Sequence, residues 1–175
     1  MVSRAHASLG LLLTMGLCAG AAACSDAVHD SAVAALGPEG SVPPGPQHRP
    51  GQPCITCHGG SGPASLQLSL GGTVYVTQGG SDPAVGAVVQ VEDIDGKVWT
   101  VKTNSAGNFF VALRDFAPHY PILPTVTSAD GTVTQPMLTL DNRDGSCADC
   151  HTNPAGPTSA GAVYLDLAPL DGGPG

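Results

Sequence analysis

The 175-residue chain carries 14 Asp and Glu against six Lys and Arg, only 11% charged residues overall, 24 Gly and 16 Pro. Its net charge of −8 argues against nucleic acid or anionic lipid as a partner and suits solubility or docking to a basic redox partner. So few charges among so many Gly and Pro predict short strands and turns rather than helices.

At the N-terminus, Arg4 and His6 precede an uncharged apolar run from Leu9 to Ala23. This is the pattern of a signal peptide over residues 1–23, too short for a membrane span. The run ends Ala21-Ala22-Ala23-Cys24-Ser25, which resembles a bacterial lipoprotein processing site with Ala21 where that pattern most often has Leu. The resemblance implies lipidation at Cys24; cleavage after Ala23 with Cys24 left as a spare thiol is the plainer alternative. Cys18, preceded by bulky Leu17, is a poorer candidate. The expected location is periplasmic or cell-surface, on the outer membrane through the lipid anchor. Removing residues 1–23 leaves 152 residues, enough for one domain with a core, and five cations against 14 acids, a net charge of −9.

Residues 24–53 are poor in aromatics and increasingly rich in Pro and Gly, as in Val42-Pro43-Pro44-Gly45-Pro46, and are expected to form a tether beyond the anchor site. Residues 54–65 follow with Cys54-Ile55-Thr56-Cys57-His58. The same spacing returns as Cys147-Ala148-Asp149-Cys150-His151, so the two pentapeptides hold every cysteine outside the N-terminal stretch.

Between and after them, residues 66–168 read as seven short strands. Leu66, Leu68 and Leu70 lead into Thr73-Val74-Tyr75-Val76. Val85, Ala87, Val89 and Val91 share one face of a second strand, Trp99 and Val101 one face of a third over 97–103, and Phe109, Val111 and Leu113 one face of a fourth over 108–113. Segments 122–127, 132–140 and 162–167 complete the set, and 169–175 is a tail. Turn residues separate them at 79–83, Asp95-Gly96, 104–107 and Asp130-Gly131. The expected fold is all-β, a seven-stranded antiparallel sandwich. Gly72-Thr73-Val74-Tyr75, then 83–89, Asp95-Gly96 and 103–109, resemble a carboxypeptidase-regulatory-like repeat. That resemblance covers about residues 70–113 and implies a prealbumin-like sandwich, a scaffold with no activity of its own.

Strict alternation of strand direction puts the segment before the first strand, the loop before the seventh and the 114–120 loop with His119 at one pole. Both pentapeptides are therefore expected together.

Cys-x-x-Cys-His is the attachment signature of c-type haem, in which both thiols form thioethers and the histidine supplies an axial nitrogen. Cys54, Cys57, His58, Cys147, Cys150 and His151 are thus the expected cofactor residues for two haems. His119 is the first candidate for a second axial ligand, His48 the next, and Met137 a thioether candidate better read as core. No helix is expected around either motif, given the Gly and Pro that follow each. Ile55, Phe116 and Tyr120 are the apparent apolar walls. The alternative keeps the four thiols as a staple, either a Zn²⁺ site or two disulfides, in a non-redox binding or adhesion module. A haem-based ligand sensor or peroxidase-like enzyme needs an open iron position. Segments 141–145 and 92–96 lack a full Ca²⁺ ligand run and read as turns. No catalytic order of nucleophile, base and acid is discernible, so the expectation is an exported dihaem electron-transfer lipoprotein rather than an enzyme.

Overall fold

The computed structural model describes residues 26–166. The expected signal peptide, the lipidation site Cys24 and the 169–175 tail lie outside the described residues. Among the described residues no helix is long and apolar enough to cross a membrane.

Two sheets and three short helices make up the described chain. The helices are α1 (Ala27–Ala35), α2 (Cys54–His58) and α3 (Cys147–Cys150). The strands are β1 (Leu68–Thr77), β2 (Val88–Glu92), β3 (Val98–Lys102), β4 (Asn108–Ala112), β5 (Leu123–Thr127), β6 (Thr134–Pro136) and β7 (Val163–Asp166). One sheet runs β4-β1-β7 and the other β3-β2-β5-β6. Leu70, Val74, Phe109, Val111 and Leu165 of the first share a buried cluster with Val89, Val91 and Val126 of the second, an arrangement consistent with a β-sandwich. The alternation of apolar residues along β1, β2 and β4 drives this, since every second side chain meets the same face.

Four of the five strand pairings are antiparallel, but β1 and β7 pair in parallel, Val74 against Val163 and Tyr75 against Tyr164. The expectation of a wholly antiparallel sandwich is corrected at this pair. Alternating directions still account for it: the first and seventh strands point the same way, and both fall in the smaller sheet.

Several strand bounds also differ from the reading of the sequence. Val85 is 55% exposed, because Gly86 turns the chain at φ 74° and β2 starts only at Val88. Leu113 lies beyond the end of β4 and is exposed. The sixth strand keeps three residues of the nine expected, with Pro136 at the sheet edge, where a missing N–H donor is tolerated.

Residues 26–53 are not the plain tether expected. Asp26 caps α1, its Oδ1 accepting from the Val28 and His29 amides. The Arg49 guanidinium then donates to the Leu36 and Gly37 carbonyls, satisfying acceptors that the helix end leaves open. One cation thereby folds this segment back onto α1.

Candidate functional site

Each motif forms a single helical turn, which corrects the expectation that no helix would surround them. In α2 the Gly59 amide closes on the Ile55 carbonyl at 2.8 Å, and at α3 the His151 amide closes on the Cys147 carbonyl at 2.8 Å. Residues three apart lie on one side of a helix, so one turn suffices to align both cysteines of a pair. The Gly and Pro that follow each motif end the turn rather than prevent it.

The two motifs then repeat the same local structure. After α2, the Ala64 amide donates to the Cys57 carbonyl at 3.0 Å; after α3, the Ala160 amide donates to the Cys150 carbonyl at 2.9 Å. Each motif histidine is held in the same way. His58 Nδ1 lies 2.8 Å from the Leu66 carbonyl, and His151 Nδ1 lies 2.9 Å from the Gly161 carbonyl. A carbonyl can only accept, so each Nδ1 is the protonated nitrogen and each Nε2 keeps a free lone pair. Two residues beyond those carbonyls, β1 and β7 begin, and they pair side by side.

What brings the motifs together is Gly71-Gly72 in β1. A Cβ on Gly71 would stand 2.8 Å from Cys54 Cβ and 3.0 Å from its Sγ. A Cβ on Gly72 would stand 2.9 Å from Cys147 Cβ and 3.1 Å from its Sγ. Adjacent strand residues face opposite ways, so Cys54 and Cys147 approach β1 from its two faces. The Gly71 amide also donates to the Gly145 carbonyl at 2.8 Å, which seats the chain entering α3 along the strand. The motifs are thus near one another, but they flank the body of β1 instead of sitting beyond its end.

Burial pushes the Cys54 thiol up to about 11 and the Cys147 thiol up to about 12, the latter helped by the nearby Cys54. At neutral pH both are protonated and weakly nucleophilic, unlike the activated thiol of a disulfide-exchange CxxC. Cys54, Cys57, Cys147 and Cys150 are all unbonded, and among the described residues no three His, Cys, Asp or Glu side chains converge on a point.

Over the first motif lies a cavity of about 580 Å³, lined by Cys54, Cys57, His58 and His48 together with Val33, Leu36, Leu66, Leu68 and Phe110. A β-bulge builds its floor. The pairing with β4 slips between Leu68 and Leu70, so Leu68 opposes Ala112 and joins Phe110 on the face turned away from the core. The walls differ from those expected. Phe116 is in the core, stacked on Trp99 at 5.6 Å. Tyr120 lies toward the second motif, its hydroxyl pushed up to about 12 by burial and by Asp141, Asp144 and Cys147. Ile55 lines a second, more open cleft of about 390 Å³ with Thr56, His29, Asp144 and Asp149. This cleft brings Ile55 and Thr56 of the first motif to Asp149 of the second. Burial and a hydrogen bond with Asp144 push the Asp149 carboxyl up to about 6.

The other candidates separate clearly. His48 packs on His58, ring centroids 5.8 Å apart and planes inclined at 43°. His119 is exposed and its Nδ1 lies 2.6 Å from Asp95 Oδ2, at the β2–β3 turn rather than in the cavity. Met137 follows β6, partly buried, with its amide on the Pro124 carbonyl. Asp93 and Asp141 accept backbone amides of their own turns, in keeping with the turn reading of both acidic segments. Sequence reasoning gave no site role to Gly71-Gly72, Leu68, Phe110 or the α1 wall; the one available signal was a Gly-Gly pair inside an otherwise β-forming run.

Comparison of the chain with models of known families, with curated proteins and with solved structures finds no match.

Proposed function

We propose that this chain is an exported dihaem c-type electron-transfer lipoprotein, on a scaffold of the prealbumin-like sandwich class. The observation that carries the reading is the matched treatment of His58 and His151. In each motif Nδ1 is held by a backbone carbonyl, which orients the ring and leaves Nε2 free. Histidines that ligate metals are regularly fixed in this way by a second partner.

The residues at the first motif fit a haem. In this reading Cys54 and Cys57, which line the cavity of about 580 Å³, would form the thioethers and His58 would supply the axial nitrogen, and the cavity is apolar on its floor and on its α1 wall. That volume lies in the range of small-molecule and cofactor pockets, roughly 300–1,000 Å³. At the second motif Cys147, Cys150 and His151 repeat the backbone pattern, with Cys150 on the surface. Bound haem supplies one-electron chemistry, while the protein sets its ligation, burial and spacing.

Neighbouring motifs support transfer between two haems, and the acidic surface suits a basic redox partner. Cys24 carries the lipid in this reading, and the partner meets the protein at a periplasmic or cell-surface membrane. The zinc or disulfide staple of a non-redox adhesion module has less support, because Cys54 and Cys147 approach β1 from opposite faces. It also gives no role to the two histidines.

The test is expression of the full chain in a host with c-type haem maturation, followed by the reduced-minus-oxidised spectrum and the denatured intact mass. Two covalent haems are expected. A protein with neither a Soret band nor added haem mass overturns the reading.

A further inference from the structure

We propose that His48 is the second axial ligand at the first motif, making that site six-coordinate with His58 opposite. The inference rests on the haem reading above and adds to it the ligation state of one named site.

The geometry of the pair is the first support. Two imidazoles bound at about 2 Å on opposite sides of a shared metal have ring centroids roughly 6 Å apart. His48 and His58 stand 5.8 Å apart, and both line the cavity that holds Cys54 and Cys57. Each ring is also oriented with the same nitrogen left over. His48 Nδ1 lies against the Gly45 backbone, whose amide and carbonyl both approach it, and His58 Nδ1 lies against the Leu66 carbonyl, so on both rings Nε2 is the nitrogen turned away from the backbone.

His48 is moreover built into place. Its carbonyl accepts from Asn108 Nδ2 at 3.0 Å, and Asn108 is tied to Thr73 in β1 by a 2.7 Å hydrogen bond. On its other side Arg49 clasps the end of α1, whose Val33 wall closes the cavity. The segment from Pro46 to Arg49 therefore joins the floor of the cavity to its wall, and His48 projects from that joint. An ordinary packed histidine accounts for the tilted contact but not for two Nδ1 atoms both turned to backbone in one common cavity. His119, held by Asp95 outside the cavity, has no such placement.

The experiment compares the matured full-length protein with His48→Ala, His48→Met and His119→Ala. None of these changes a thioether cysteine or His58, so denatured mass reports haem attachment independently of ligation. The expected result is two covalent haems in all four proteins. His48→Ala converts one of the two haems to high spin and binds one more equivalent of carbon monoxide per protein than the wild type. Added imidazole restores the low-spin spectrum. His48→Met keeps that site low-spin with a raised reduction potential, because a thioether ligand favours the reduced iron. His119→Ala behaves as the wild type. His48→Ala carrying two haems with an unchanged spectrum and unchanged carbon monoxide uptake overturns the assignment while leaving the haem reading intact. If His48→Ala fails to fold, His48→Met decides alone: a spectrum and potential equal to the wild type overturn the assignment. A wild type without haem mass overturns both.

Discussion

Replacing Gly72 with Ala tests the claim that close approach of the cysteines to β1 sets the site. The new methyl would lie 2.9 Å from Cys147 Cβ and 3.0 Å from Phe109 Cε1, both well inside van der Waals contact. Phe109 is 4% exposed and locked in the core, so neither neighbour can yield without moving packed structure. Such overpacking costs about 1–3 kcal/mol. Against this stands the usual gain of about 0.4–1 kcal/mol when Ala replaces an unstrained Gly and restricts the unfolded chain. A net loss of roughly 1–2 kcal/mol follows, which lowers a urea midpoint by about 0.5–1 M for a typical slope. Gly71→Ala, whose methyl would stand 2.8 Å from Cys54 Cβ, belongs to the same class. Gly156→Ala is the control, since a Cβ there meets nothing within 4 Å. Equilibrium urea unfolding followed by the fluorescence of Trp99, the one tryptophan, reads all three. A Gly72→Ala midpoint equal to or above that of Gly156→Ala would refute the packing argument.

Two further outcomes are expected. Phe116→Ala removes a ring that is 1% exposed, stacked on Trp99 and covered by the Lys97 ammonium at 5.1 Å. It should cost about 3–5 kcal/mol and red-shift Trp99 emission; a loss below about 1 kcal/mol in urea unfolding would show that Phe116 is not core. Asp93 provides a pH dependence. Burial raises its carboxyl, but the amides of Lys97, His119 and Asp95 outweigh burial and hold it below the ordinary value. Because the folded value is depressed, the stability is present above an unfolded value of about 4 and is lost as pH falls through the folded one. Asp93→Asn should flatten the acid limb of the urea midpoint against pH, and an unchanged slope would refute the assignment.

The strand pattern was legible because alternation has a fixed period: Val89 with Val91 and Phe109 with Val111 are buried as their spacing requires. The motifs were legible as spacing alone. Their surroundings were not, for identifiable reasons. A one-residue bulge at Leu68–Leu70 reverses which face Leu68 serves, and nothing in the local residues marks it. The wall formed by α1 depends on a contact between Arg49 and carbonyls more than ten residues earlier, which local propensity does not encode. His48 stood second to His119 because parity of strands locates loops only by end of the sheet. The side-chain partner Asp95, which takes His119 out of reach, belongs to a different turn.

The parallel pairing of β1 with β7 has a consequence for timing. β1 is the middle strand of its sheet, and its second neighbour lies some ninety residues later in the chain. Contacts so distant in sequence form late, since the closure of a long loop precedes any compensation from packing. The Gly145 carbonyl reaches the Gly71 amide across a comparably long stretch of chain, so Cys147 stays uncovered until that late contact forms. Slow completion of this sheet therefore gives any covalent modification of that thiol an interval in which to act before folding closes over it.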